Sequence, residues 1–253
     1  MRPKTRIVIS AFAMVALLSG CPTDDATSSA TAPGPELLVA QALPQFPVDP
    51  SGFVEEIDNP YLGFARGKTF FYEAETDEGL ETIVVEVTHD TKMILGIATT
   101  VVRDQVFLDG DLIEDTFDWY AQDQDGNVWY FGEDTTEFEN GEAVSTEGSW
   151  EAGIDGAQPG IIMLAQPKPG MTYRQEFAEG VAEDMAQVKS LKAEVEVTYG
   201  DFADCLETKE WSPLTPGGSE RKVYAPGVGL VLELSKNGVG NQRRTELVAI
   251  EEE

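Results

Sequence analysis

Residues 118–134, DWYAQDQDGNVWYFGED, decide the fold, because they read as one complete β-hairpin. Two aromatic-rich arms flank Asp125-Gly126, and Asp-Gly between such arms is the strongest short-range hairpin signal, since a type I′ turn needs positive φ at both central positions. With those two residues as the turn, Trp119 faces Gly132, Tyr120 faces Phe131 and Asp118 stands opposite Glu133. Like charges opposed across a ladder are unfavourable unless something compensates them. A four-residue loop from Asp123 to Gly126 would place Asp118 opposite Phe131 and abolish the pair.

The same punctuation recurs outward from this hairpin. Asp109-Gly110, Asp125-Gly126 and Asn140-Gly141 follow one another at intervals of sixteen and fifteen residues, between arms at 93–107, 111–123, 127–139 and 142–153. Sequential strands joined by tight turns make a meander. Upstream, 59–67 is an entry loop and 68–75 (KTFFYEAE) a first strand, and 80–88 is rich in Val, Ile and Thr; a turn is expected near Asp90-Thr91-Lys92. Downstream, residues 153–170 break the rhythm with prolines and glycines around Ile161-Ile162-Met163-Leu164, which reads as a lid tucked onto a core. Strand-like segments resume at 171–177, 187–199, 202–211, 221–224, 229–235 and 243–250, with Asn237-Gly238 in the last turn. The expected fold is all-β: a curled antiparallel meander of roughly ten strands forming a half-barrel or open barrel.

The chain opens with Arg2, Lys4 and Arg6, an apolar run from Ile7 to Leu18, and Leu18-Ser-Gly-Cys21. The run is too short and wrongly flanked for a spanning helix. The pattern resembles the lipobox of bacterial lipoproteins, which implies cleavage before Cys21 and lipidation of that cysteine. Several acyl chains on one residue give stable anchoring where a single one does not. Residues 1–20 are thus expected to be a signal peptide. Residues 21–52, rich in Ser, Thr, Ala, Pro and Gly, are expected to be a disordered tether that cannot bury enough apolar surface to order itself, apart from a helical turn at 37–42. Residues 53–253 form the β-domain. By resemblance to the sorting rule of such lipoproteins, Pro22 after the cysteine implies the outer membrane in a cell with two.

Composition limits the chemistry. Against 46 acidic residues stand 17 basic ones, a net charge of −29, and loss of Arg2, Lys4 and Arg6 would take it to −32. Such a field repels nucleic acid and favours cations. His89 is the sole histidine, which argues against histidine-rich metal sites and histidine-based triads. Cys205, in a strand-like run, is left without a disulfide partner once Cys21 is lipidated, and reads as a buried thiol.

At Gly67-Lys-Thr-Phe-Phe-Tyr72, Pro169-Gly-Met-Thr-Tyr173, Tyr199-Gly-Asp-Phe-Ala-Asp-Cys205 and Tyr224-Ala-Pro-Gly-Val-Gly-Leu230, the chain resembles a broad group of uncharacterised secreted bacterial proteins. Residues 118–150 are similar, more narrowly, to uncharacterised lipoproteins with the same order of motifs. The resemblance implies a curved sheet or partial barrel comparable with the lipid-carrier half-barrels of the bacterial envelope, and it carries no catalytic residue.

Four chemistries suit the hairpin and its surroundings. Asp118 and Glu133, close together, could divide into acid and base as in glycoside cleavage. Asp118, Glu133 and Asp134, with Glu183-Asp184, offer the hard oxygens that Ca²⁺ takes. Arg174, in Tyr173-Arg-Gln-Glu176-Phe177, could neutralise Asp118 or Glu133 through a bidentate contact, making the pair structural. Trp119, Trp129 and Trp150, with neighbouring tyrosines, could line a mouth for an apolar or sugar-like ligand. The sequence favours a membrane-anchored, monomeric binding protein over a carboxylate hydrolase or a purely structural lipoprotein.

Overall fold

The computed structural model describes residues 49–236 and 242–253. The leader, Cys21, residues 21–48 of the tether and Asn237-Gly238 lie outside the described residues, while 49–52, expected to be the disordered end of the tether, are ordered, with Gln124 N–H donating to the Gly52 carbonyl at 2.8 Å. After a turn of 3₁₀ helix at Pro50–Gly52 come β1 (Phe53–Val54), β2 (Lys68–Glu75), β3 (Leu80–Ile94), β4 (Ile97–Leu108), β5 (Asp111–Asp123), β6 (Val128–Glu139), β7 (Glu142–Ser145) and β8 (Trp150–Glu151). Then follow β9 (Gln158–Met163), β10 (Thr172–Arg174), β11 (Glu176–Phe177), β12 (Met185–Val197), β13 (Gly200–Trp211), β14 (Ser219–Ala225), β15 (Gly229–Lys236) and β16 (Gln242–Glu252).

All pairings between named strands are antiparallel, and the ladder runs β10-β12-β13-β14-β15-β16-β2-β3-β4-β5-β6-β9-β11. Its two ends are one piece of chain. β10 pairs with β12 through Thr172↔Gln187, while β11 pairs with β9 through Glu176↔Pro159. Between them Gln175 turns aside, its N–H donating to the Asp184 carbonyl at 2.8 Å. The curl therefore goes almost to closure, and a nearly closed barrel of thirteen strands removes the exposed edges that an open sheet must protect. Gly160 in β9 is needed at this seam, because a Cβ there would collide with the backbone of Gln175.

Along each strand one face points inward. Phe70 and Tyr72 of β2, Ile83, Val85 and Val87 of β3, Val102 and Val106 of β4, and Val231 of β15 are buried there. The segment 57–64 lies across one end of the barrel. Asn59 donates to the carbonyls of Gly126 and Leu164 at 2.9 and 3.2 Å, Gly227 N–H donates to the Pro60 carbonyl at 2.7 Å, and Phe64 packs on Tyr120.

Two expectations are corrected here. The turn expected at Asp90-Thr91-Lys92 is instead the interior of β3, where the register shifts between Val87 and Thr91; the chain reverses at Leu95-Gly96, both with positive φ. The expected lid at 153–170 is partly strand. β9 pairs with β6, burying Ile162, Met163 and Leu164 as wall of the barrel.

Candidate functional site

Asp109-Gly110 and Asn140-Gly141 both have positive φ at both positions, as a type I′ turn requires. Asp125-Gly126 does not follow them. Only Gly126 has positive φ; its N–H donates to the Asp123 carbonyl at 2.9 Å, and Asp123 N–H to that of Asn127, also at 2.9 Å. The loop thus holds three residues, 124–126, and moves Tyr120 opposite Tyr130 rather than Phe131. Deeper in the hairpin, Phe131 and Gly132 together oppose Trp119, a β-bulge that restores the original count. The two departures cancel, and the ladder pairs Asp118 with Glu133.

Both carboxylates are sealed, with Asp118 1% and Glu133 4% exposed. Tyr130 donates its hydroxyl to Asp118 Oδ1 at 2.6 Å, while Oδ2 has no hydrogen-bond partner. The Tyr130 ring stacks on Tyr120 at 4.8 Å and meets Trp150 edge-on at 5.4 Å. Burial pushes Asp118 up to about 7, with the Tyr130 hydroxyl pulling the other way. Glu133 is driven well above the usual carboxylate range by burial first, then by the charges of Asp118 and Glu176. The opposition of like charges is relieved by retaining a proton on the pair near neutral pH, on Glu133 first.

The pair belongs to a larger set that sequence reasoning missed. Asp104, Glu114, Glu210, Glu220 and Glu233 are also buried. Neither oxygen of Asp104 has a hydrogen-bond partner, and burial, then the charges of Asp118 and Glu114, raise its pKa well above normal. Glu114 is pushed to about 7 and Glu233 to about 8, in each case chiefly by burial. Lys222 is a counter-ion to three of them, its ammonium 3.1 Å from Glu210, 3.0 Å from Glu220 and 3.8 Å from Glu233, and the Arg243 charge acts on Asp104, Glu114 and Glu233. Burial alone would lower the Lys222 pKa, but its three carboxylates together raise it well above the usual lysine range. One signal for this was available. Asp104 shares its strand face with Val102 and Val106, so a charge stood there on an apolar face.

Other expected members of the site lie elsewhere. Arg174 does not neutralise Asp118 or Glu133; its guanidinium stacks 4.5 Å over the Phe177 ring, and it forms no ion pair among the described residues. The short strands β10 and β11 at the seam hold it there. Asp134 is exposed on the opposite face from Glu133. Glu176 does point into the interior, where burial and then Asp184 raise its pKa well above normal. Glu183 instead caps a turn by accepting from Gly180 N–H at 3.0 Å, and burial pushes Asp184 to about 7. Asp118, Glu133, Glu183 and Asp184 therefore do not come together as Ca²⁺ ligands: no group of three or more acidic, histidine or cysteine side chains among the described residues is arranged to hold a metal ion. The tryptophans fill structure instead of lining a mouth. Lys92 sits 3.2 Å from the Trp119 ring centroid, Trp129 donates its indole N–H to Asp123 at 2.8 Å, and Trp150 packs on Tyr130. Cys205 is buried and free, and burial raises its thiol pKa.

No family model and no curated protein matches the chain. Among solved structures, it is similar to a protein from Bacteroides fragilis described as exported and of YmcC-like fold, with 16% identity, a TM-score of 0.45 and coverage of 76% of this chain and 99% of that one. A second, from Parabacteroides distasonis and described as a lipoprotein, shows 12% identity and a TM-score of 0.42 over the same shares. Neither likeness carries a function to this chain.

Proposed function

We propose that this chain is a lipid-anchored envelope protein that binds a ligand and does not catalyse. The anchor reading rests on Arg2, Lys4 and Arg6, the apolar run after them, and Leu18-Ser-Gly-Cys21. What carries the choice of binding over hydrolysis is the sealing of Asp118 and Glu133. A general acid must come within hydrogen-bond reach of the bond it protonates, and a glycosidic substrate has no path to a pair 1% and 4% exposed behind Tyr130 and Trp150. Their raised pKa values are accounted for by burial, which structural carboxylates share with catalytic ones. The membrane is a partner through the acyl chains on Cys21.

Two measurements test this reading. Cys21→Ser is expected to move the protein from the membrane to the soluble fraction and to remove a mass shift corresponding to acylation; membrane retention without acylation would contradict the anchor. Native mass spectrometry of the protein extracted from cells in neutral detergent is expected to show a retained small molecule. A bare protein that cleaves a glycan, with Asp118→Asn abolishing the cleavage, would reinstate the hydrolase.

A further inference from the structure

Strands β12–β16 carry a groove of about 540 Å³ at the end of the barrel opposite the 57–64 segment. Six of the fourteen Lys and Arg outside the leader line it: Lys189, Lys209, Arg221, Lys236, Arg243 and Arg244. Only Glu207 and Glu220 among its lining residues are acidic. In a chain with 46 acidic and 17 basic residues this is a local reversal of charge.

The ladder shows how the cations are placed. Lys209 pairs with Arg221, Arg221 with Leu234, and Leu234 with Arg244, so three cations stand along one row of the outer wall. Neighbouring strands are about 5 Å apart, which spaces the three roots at about 5 and 10 Å. Lys236 lies on the same face two residues beyond Leu234. Part of this charge is already answered: Arg221 pairs with Glu207 at 2.8 Å, Arg243 with Glu81 at 2.6 Å and Arg244 with Glu246. Lys189, Lys209 and Lys236 have no ion pair among the described residues. Lys209 also directly faces Arg221 across the ladder, an unfavourable arrangement of like charges.

We propose that this groove binds a phosphate-bearing anion, a deduction that rests on the binding reading above and names its ligand class. The ammonium groups of Lys189, Lys209 and Lys236 offer point charges to phosphate oxygens, while Arg221 and Arg244, held by Glu207 and Glu246, add positive charge along the same row. The volume suits a sugar phosphate or a lipid headgroup. The clustered cations attract every phosphate of a ligand at short range, whereas the negative field of the rest of the molecule acts from further away and is screened more, so several phosphates on one molecule bind best and binding falls as salt rises.

The test uses the full chain in a nonionic detergent, titrated calorimetrically with inositol hexakisphosphate at low ionic strength. In a second arm, the full chain carrying Cys21→Ser is floated with phosphatidylglycerol or phosphatidylcholine vesicles. Lys209→Glu/Lys236→Glu/Arg244→Glu is expected to weaken binding by about tenfold or more, and Lys168→Glu/Lys192→Glu, outside the groove, by no more than about twofold. Melting curves check that each variant folds; if the triple variant does not, Lys236→Glu alone is expected to weaken binding several-fold. Binding of the soluble probe alone assigns a free phosphorylated ligand, and groove-dependent flotation with phosphatidylglycerol alone assigns a headgroup. Equal binding by parent and groove variants, or binding in neither arm, overturns the proposal. If a small molecule is nevertheless retained from cells, the groove falls while the binding reading stands.

Discussion

Asp118 and Glu133 stand side by side because the barrel withholds their charge. A carboxyl whose pKa is about 7 when folded and near 4 when unfolded contributes no pH dependence below 4. Between those values the native state keeps a proton that the unfolded chain releases, so stability falls as pH rises, and the full cost is present above about 7. Asp118→Asn keeps the shape and an acceptor for Tyr130 while removing the titration. In urea unfolding it is expected to gain on the parent by about 2–4 kcal/mol between pH 4 and pH 8, with part of that gain already present at pH 5. Lys222 is the converse case. Lys222→Met strands three buried carboxylates without their shared cation and is expected to cost about 3–5 kcal/mol at pH 8, with a smaller loss at pH 5. The opposition of Asp118 and Glu133 was legible in the sequence. Its neutralisation was assigned to Arg174 because scarce positive charge beside aromatics suggests a salt bridge, whereas protonation leaves no mark in a sequence.

At the level of elements, the hairpin register depends on Gly132 as much as on the Asp125-Gly126 turn. Gly132 has φ +128°, and a Cβ there would run into the Trp150 carbonyl, so β6 can bulge and still accept β8 only with glycine. Gly132→Ala is expected to destabilise by about 2–4 kcal/mol, read by thermal or urea unfolding, and to disturb the Asp118–Glu133 pairing, whereas Gly110→Ala, with open space around it, should cost about 1 kcal/mol. The Asp-Gly and Asn-Gly turns were readable because their residues tolerate positive φ. Leu95-Gly96 was not, since leucine rarely adopts φ near +52°, and the polar Asp90-Thr91-Lys92 looked more like a turn than the outer face of a bulged strand. β9 escaped notice for a similar reason: Pro159 and Gly160 suggest a loop, yet they sit at the barrel seam, where a strand must let another backbone come close.

For the molecule as a whole, local alternation reveals strands but not how far a sheet curls. Closure depends on residues 172–177 serving both flanks, a long-range pairing without a local signature, so the sequence supports a curled meander while the nearly closed barrel emerges only in three dimensions. Closure also decides the chemistry, since it turns the concave aromatic face into a filled interior and the acidic pair into buried groups. The central claim is therefore that the interior carboxylates are sealed and protonated near neutrality. The most direct measurement is a carbon-13 NMR titration of the Asp and Glu carboxyl carbons. It resolves single carboxyls, so the buried ones are told apart from the exposed ones that the general repulsion of a chain with net charge −29 shifts together; that repulsion also makes stability fall with pH for a different reason. The account predicts several carboxyls titrating between about pH 6 and 9, with the Asp118 resonance, identified by its loss in Asp118→Asn, among them at about 7. Complete ionisation of every carboxyl by about pH 5.5 would contradict it.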